Sequence, residues 1–197
     1  MDAALDHWPS PPPQGWTADD LDRLGEGPDG EPGFFERVEL IDGALVFAAP
    51  QTRFHQRVLT GLAIALKTRA PERLAVVTRM DVKLGHRMRP CPDVVVVDAE
   101  AADDDDRTFY TPGEVHLAVE VVSPESEDRD RKTKPSRYAE AGIAHFWRVE
   151  NNGGSPVVYV YELDPATHAY ALTGIHHDRL TVPVPFPLTI DLGDLPR

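Results

Sequence analysis

Two stretches of this chain are nearly unbroken runs of β-branched and aliphatic residues, DVVVV at Asp93 to Val97 and VHLAVEVV at Val115 to Val122. Runs of this kind read as strands buried on both faces, since they leave no alternate position for solvent. They belong in the middle of a sheet, and a sheet covered on both sides needs helices or further strands above and below it.

The rest of the sequence supplies that cover. From His55 to Thr68, residues Val58, Leu59, Leu62, Ile64, Ala65 and Leu66 recur at helical spacing, and Pro71 ends the segment. A second, shorter helix is predicted from Pro135 to Ala141, with proline tolerated in its first turn and Gly142 closing it. Between Val122 and that helix, SPESEDRDRKTK reads as a polar loop. Additional strands are predicted at Leu74 to Thr78, Asp81 to Leu84, HFWRV, VVYVYEL and HAYALT, with LTVPVPFPLTIDL as a proline-broken closing edge. Arg37 to Ala48 reads as a hairpin around Asp42-Gly43, a dipeptide that suits two consecutive positive-φ positions. Helices mixed with strands in this order predict an α/β fold with a mixed central sheet flanked by helices.

The 197 residues, 41% of them hydrophobic, suffice for one core. We expect a single domain over 34–197, preceded by a loosely packed lead-in over 1–33 that carries one short helix at Ala18 to Leu24. No internal repeat is evident. Nor does any apolar run reach the roughly 18 residues of a membrane helix, and the N-terminal residues lack the order of a signal peptide. The expectation is a soluble, cytoplasmic protein without a membrane partner. Cys91 is the one cysteine, which rules out a disulfide framework or a cysteine-based zinc cluster within the chain.

Asp93 and Glu120 stand out because they are acidic residues set directly into apolar strand runs. A dehydrated carboxylate costs several kcal/mol unless a cation or hydrogen-bond donors compensate. Two on adjacent strands would repel, and a divalent ion is a common remedy. Hard oxygen ligands, without cysteines or histidines at metal spacing, favour Mg²⁺ or Mn²⁺ over Zn²⁺. The alternative is equally simple: Asp93 opens its strand at a solvent-facing end, and Glu120 bonds to backbone or pairs with an arginine. Lys134, just before the second helix, could lean over the strand ends and stabilise phosphate charge or orient a water; otherwise it is a solvated lysine of a basic run.

Other features read plainly. His176 and His177 are adjacent and would diverge, so they are expected at the surface. Asp103 to Asp106 lack the spacing of a calcium loop and read as a solvated loop. Phe146, Trp147, Tyr159 and Tyr161 lie in apolar strands and read as core or dimer-interface residues. The net charge of −13 argues against a protein that coats nucleic acid non-specifically, although Arg129, Arg131, Lys132, Lys134 and Arg137 form a local basic cluster.

The ordered set ELIDG, a His-initiated helix, PDVVVV, LAVEVVSPES, D-x-x-x-K-x-x-x-Y-x-x-x-GI and HFWRV resembles the Uma-type family of putative restriction endonucleases, in the PD-(D/E)-x-K nuclease superfamily. The match runs from about Glu39 to Leu163. It implies a restriction-endonuclease-like fold in which Asp93, Glu120 and the backbone carbonyl of Val121 hold Mg²⁺ or Mn²⁺. The superfamily lysine expected two residues after Glu120 is Val122 here. The resemblance passes its role to Lys134, in register with Asp130 and Tyr138. Glu39 and His55 are secondary candidates; the competing readings are an exposed strand residue beside a hairpin for Glu39 and a locally bonded helix-start residue for His55. The implied function is metal-dependent hydrolysis of DNA phosphodiester bonds, with a homodimer expected for cutting both strands. The missing lysine and the acidic charge motivate an alternative, a catalytically inactive nuclease-fold module for nucleic-acid or protein interaction.

Overall fold

The computed structural model describes residues 10–24 and 38–195. Twelve strands are found among them: β1 (Val38–Ile41), β2 (Ala44–Phe47), β3 (Leu74–Thr78), β4 (Asp81–Val82), β5 (Val94–Asp98), β6 (Phe109–Tyr110), β7 (Val115–Val121), β8 (His145–Asn152), β9 (Ser155–Asp164), β10 (Ala169–His176), β11 (Arg179–Val182) and β12 (Leu188–Asp191). The helices are α1 (Leu21–Leu24), α2 (Arg53–Arg69) and α3 (Lys134–Glu140).

Six strands form the central sheet in the order β10-β9-β8-β7-β5-β3. It is mixed: β7 and β8 run parallel, and the other neighbouring pairs are antiparallel. Both valine-rich strands sit inside the sheet, as their lack of alternation requires. Val94 and Val96 face one core cluster, and Val95 and Val97 face the other. The first cluster is closed by Val58, Leu59, Leu62 and Leu66 of α2, the second by Tyr138 of α3 with Ile143 and Phe146.

The parallel pair positions the site. Parallel neighbours cannot be joined by a tight turn, so the chain between β7 and β8 must cross over a face of the sheet. That crossover carries α3 onto the face where Ala118 and Tyr138 pack. On β7 the period of two places Leu117, Val119 and Val121 against the α2 side, which turns Glu120 toward α3.

Several expectations need correction. The segment SPESEDRDRKTK is not a loop throughout: helix begins at Glu127 and runs as a π-helix over Arg129–Thr133 into α3. The Lys134 N–H donates to the Arg129 carbonyl, five residues back. Pro135 has no N–H to donate and its ring presses on the carbonyl four residues back, a clash that a widened turn just before it eases. The strand at Asp81 to Leu84 reduces to the two-residue β4, paired in parallel with β6 outside the main sheet. The closing stretch is not an edge of the central sheet. Instead β11 and β12 form a separate hairpin whose Leu180, Val182, Leu188 and Ile190 join the α2 core.

The β1–β2 hairpin turns at Asp42 and Gly43 with φ of 50° and 85°, the two positive values that the dipeptide predicts. It too stands apart from the central sheet, bridged to the body by Leu40 and Arg89, whose backbones exchange bonds of 3.0 and 2.8 Å. Residues Thr17 to Leu24 are tied down more firmly than a loose lead-in implies. Ala18 is fully buried, and its carbonyl accepts from Arg89 Nη1 at 2.9 Å. The remainder of 1–33 lies largely outside the described residues. Phe146 and Trp147 are buried within the single chain, which makes them core and leaves them no interface surface. Tyr159 and Tyr161 are half-buried under the Arg148 guanidinium, at 4.6 and 5.6 Å from their ring centroids. Asp103 to Asp106 are exposed, as is His177, while His176 is half-buried.

Candidate active site

A cleft of about 400 Å³ opens where β1, the end of β5, β7 and the π-helical turn converge. Glu39, His55, Asp93, Glu120, Val121 and Lys134, the residues singled out from the sequence, all line it. They come from five separate segments.

Asp93 stands immediately before β5, and its Oδ2 accepts from the Val121 backbone N–H at 2.8 Å and contacts His55 Nε2 at 3.1 Å. His55 is buried near the start of α2, its own N–H bonded to the N-cap Thr52 hydroxyl at 3.2 Å. The helix start therefore fixes the imidazole against Asp93 rather than leaving the ring bonded locally. Both contacts to Asp93 fall on one carboxylate oxygen.

Glu120 is 2% exposed, and its Oε1 accepts from the Tyr138 hydroxyl at 2.6 Å and from Lys134 Nζ at 3.2 Å. Lys134 is itself buried and reaches Glu39 Oε1 at 2.8 Å and Asp130 Oδ1 at 3.4 Å. Glu39 also accepts from the Cys91 backbone N–H at 2.7 Å, so the hairpin carboxylate is held from two sides. The competing surface readings of Glu39 and Lys134 do not describe these positions.

One ammonium thus faces three carboxylates, with Asp93 as a fourth nearby. Burial works against the charge on Lys134, yet Glu120, Glu39 and Asp130 outweigh it and hold its pKa well above the usual lysine range. Burial pushes the Glu120 carboxyl well above its ordinary value; Lys134 opposes this, and the charges of Asp130, Asp93 and Glu39 add to it. Asp130 is raised for the same reason, burial first. The cluster carries more negative charge than Lys134 can neutralise, and it calls for a further cation or for protons.

The described residues contain no group of three or more His, Cys, Asp or Glu already arranged as a metal cage. Lys134, lying between the Glu39 and Glu120 carboxylates, accounts for part of that. The donor chemistry nonetheless fits a hard divalent ion. Carboxylate oxygens of Asp93 and Glu120 line the same cleft, and Asp130 Oδ1 is buried without a hydrogen bond.

Asp130 and Tyr138 are the site residues that sequence reasoning left without a role. The four-residue spacing that singles out Lys134 contains both. What the sequence could not signal is the π-helical turn, in which positions five apart come close to stacking. That turn lets Arg129, Asp130 and Lys134 all reach the cleft.

An α/β domain with a mixed sheet and a carboxylate-and-lysine cleft at the end of its central strands defines a nuclease-like class. The chain belongs to the Uma2 family, described as "Putative restriction endonuclease", whose model matches residues 34–193. No curated protein matches the chain. Among solved structures it is similar to a "putative nuclease belonging to DUF820" from Anabaena variabilis, at 15% identity over 91% of this chain and 97% of that one, with a TM-score of 0.68. At that identity the likeness speaks for the fold.

Proposed function

We propose that this protein is a metal-dependent endonuclease that hydrolyses phosphodiester bonds in DNA, with Asp93, Glu120 and Lys134 as its catalytic residues. The observation that carries the reading is the meeting of Glu120 and Lys134 in one buried cluster, 3.2 Å apart, although the superfamily lysine position is occupied by Val122. In this reading the lysine of the crossover helix takes over the role that a strand lysine has elsewhere in the superfamily, and its 3.2 Å contact with Glu120 supports that.

Asp93 and Glu120, with the Val121 backbone carbonyl, would hold Mg²⁺ or Mn²⁺. Such an ion lowers the pKa of a bound water and polarises a phosphoryl oxygen. Lys134 then stabilises the charge that builds on the phosphate as the water attacks and the leaving oxygen departs. Glu39 and Asp130 keep the Lys134 ammonium charged. His55 holds Asp93 in place through Oδ2, and Tyr138 does the same for Glu120. A homodimer belongs to the same reading, since cutting both strands of a duplex calls for two symmetry-related sites.

The test is nicking of supercoiled plasmid by purified protein in Mg²⁺ or Mn²⁺, beside an Asp93→Ala variant. Cleavage that depends on the ion and is lost in the variant is expected. Protein that cuts neither duplex nor single strand, or a variant as active as the parent, rejects the reading and favours a non-catalytic module. Light scattering on the same sample reads the oligomeric state.

A further inference from the structure

The cleft poses an electrostatic problem for an anionic substrate. Its floor holds Glu39, Asp93, Glu120 and Asp130, the whole chain carries a net charge of −13, and a polyanion approaching it meets repulsion. Four cationic side chains line the same cleft: Arg79, Arg89, Arg129 and Lys134. Two of them are fully committed. Arg89 is buried and bonded to Asp81, Asp22 and two backbone carbonyls, and Lys134 is shared among three carboxylates.

The other two differ. Arg79 is exposed, and among the described residues its guanidinium has no ion pair or hydrogen bond. Its backbone adopts φ of 54°, a left-handed conformation that side-chain-bearing residues rarely take, and its N–H donates to the Asp93 carbonyl at 3.1 Å. That bond fixes its position beside the proposed ligand Asp93. Arg129, in the π-helical turn, bonds through Nη2 to Glu125 at 2.5 Å, and among the described residues its Nη1 has no partner. Each guanidinium therefore keeps donors to spare.

We propose that Arg79 and Arg129 are the substrate-binding residues that grip the nucleic-acid backbone at phosphates flanking the scissile one. The guanidinium fork suits this task, since it presents parallel N–H donors to a phosphate. Recruitment through two arginines at one cleft also fits an otherwise acidic protein: binding is confined to the site and not spread over the surface. Glu125 acts as a counterweight that holds Arg129 when no phosphate is present. The inference rests on the phosphodiesterase reading.

The experiment measures binding separately from catalysis. In a Glu120→Gln background, which blocks cleavage of the probe, fluorescence anisotropy follows a short labelled DNA duplex and its single strand as the salt concentration is varied. Arg79→Ala and Arg129→Ala are each expected to weaken binding by about tenfold and to lower the slope of log affinity against log salt by about one. Arg79→Lys and Arg129→Lys should restore most of the slope, and Glu125→Ala should tighten binding by releasing Arg129. Alanine variants that match the background in affinity and slope overturn the inference while leaving the hydrolytic reading intact. A background protein that binds neither probe also overturns it, and the plasmid assay on the parent protein then decides whether the hydrolytic reading falls as well.

Discussion

The Tyr138 hydroxyl donates to Glu120 Oε1 at 2.6 Å, from a ring wholly buried between α3 and the central sheet. The bond joins the crossover helix to the strand carboxylate, and it orients the oxygen that Lys134 also approaches. Tyr138→Phe keeps the ring volume and removes this one donor, so the fold is expected to persist. Partners that orient ligands are typically worth about 10- to 100-fold in metal affinity or activity. Calorimetric titration with Mn²⁺ should show a loss in that range, and an unchanged affinity would remove Tyr138 from the site.

Lys134→Met takes the ammonium from a buried cluster and leaves its carboxylates uncompensated. Breaking a buried ion pair from one side costs about 3–5 kcal/mol. Thermal melts should show that loss without divalent ions, and Mn²⁺ should raise the melting temperature of the variant by more than that of the parent. Plasmid nicking should fall by at least about 100-fold. A variant as stable as the parent would mean that the carboxylates find compensation elsewhere.

Arg89 is the strut of the N-terminal segment. Its guanidinium, 3% exposed, bonds to Asp81 at 2.8 Å, to Asp22 at 2.8 Å and to the Ala18 carbonyl at 2.9 Å. Arg89→Met should destabilise the protein by about 3–5 kcal/mol. Limited proteolysis should then cut near Thr17 to Leu24 ahead of the rest. Equal protection in parent and variant would contradict this assignment.

Stability should also decline on mild acidification through His145. Burial lowers the pKa of its imidazole, Glu162 opposes the shift and His116 adds to it, and Nδ1 is buried without a partner. A base whose folded pKa lies below its unfolded value contributes stability in full above the unfolded pKa, about 6.5 for histidine. That contribution is lost as pH falls from there toward the folded value. His145 therefore contributes a fall in melting temperature below neutrality, against the opposite contribution of the raised Asp81, Glu120 and Asp130 carboxyls, and His145→Gln should lose less stability than the parent as pH falls from neutrality. Identical slopes would count against it.

The sheet was legible where residue type and period agreed. DVVVV and VHLAVEVV announce interior strands because no position in them tolerates water, and Asp42-Gly43 announces its turn because both positions favour positive φ. The carboxylates Asp93 and Glu120 were legible for the opposite reason, as charges in apolar surroundings that demand a partner. The π-helical turn was not legible. A polar run such as SEDRDRKT shows no apolar period, and the helix it enters is tied to the body by buried tertiary contacts such as Lys134 to Glu39 at 2.8 Å. The separate β11–β12 hairpin was misplaced because apolar alternation shows that a strand has a buried face but not which core receives it.

The crossover segment brings Asp130 and Lys134 to the cleft and Tyr138 to Glu120 from the core on one continuous helical stretch, while Asp93 and Glu120 belong to the sheet side. Local opening of that single segment would withdraw three site groups in one event and leave the sheet core standing. The candidate site would then be only as persistent as the docking of that segment, and amide exchange over 127–140 would measure how often it opens.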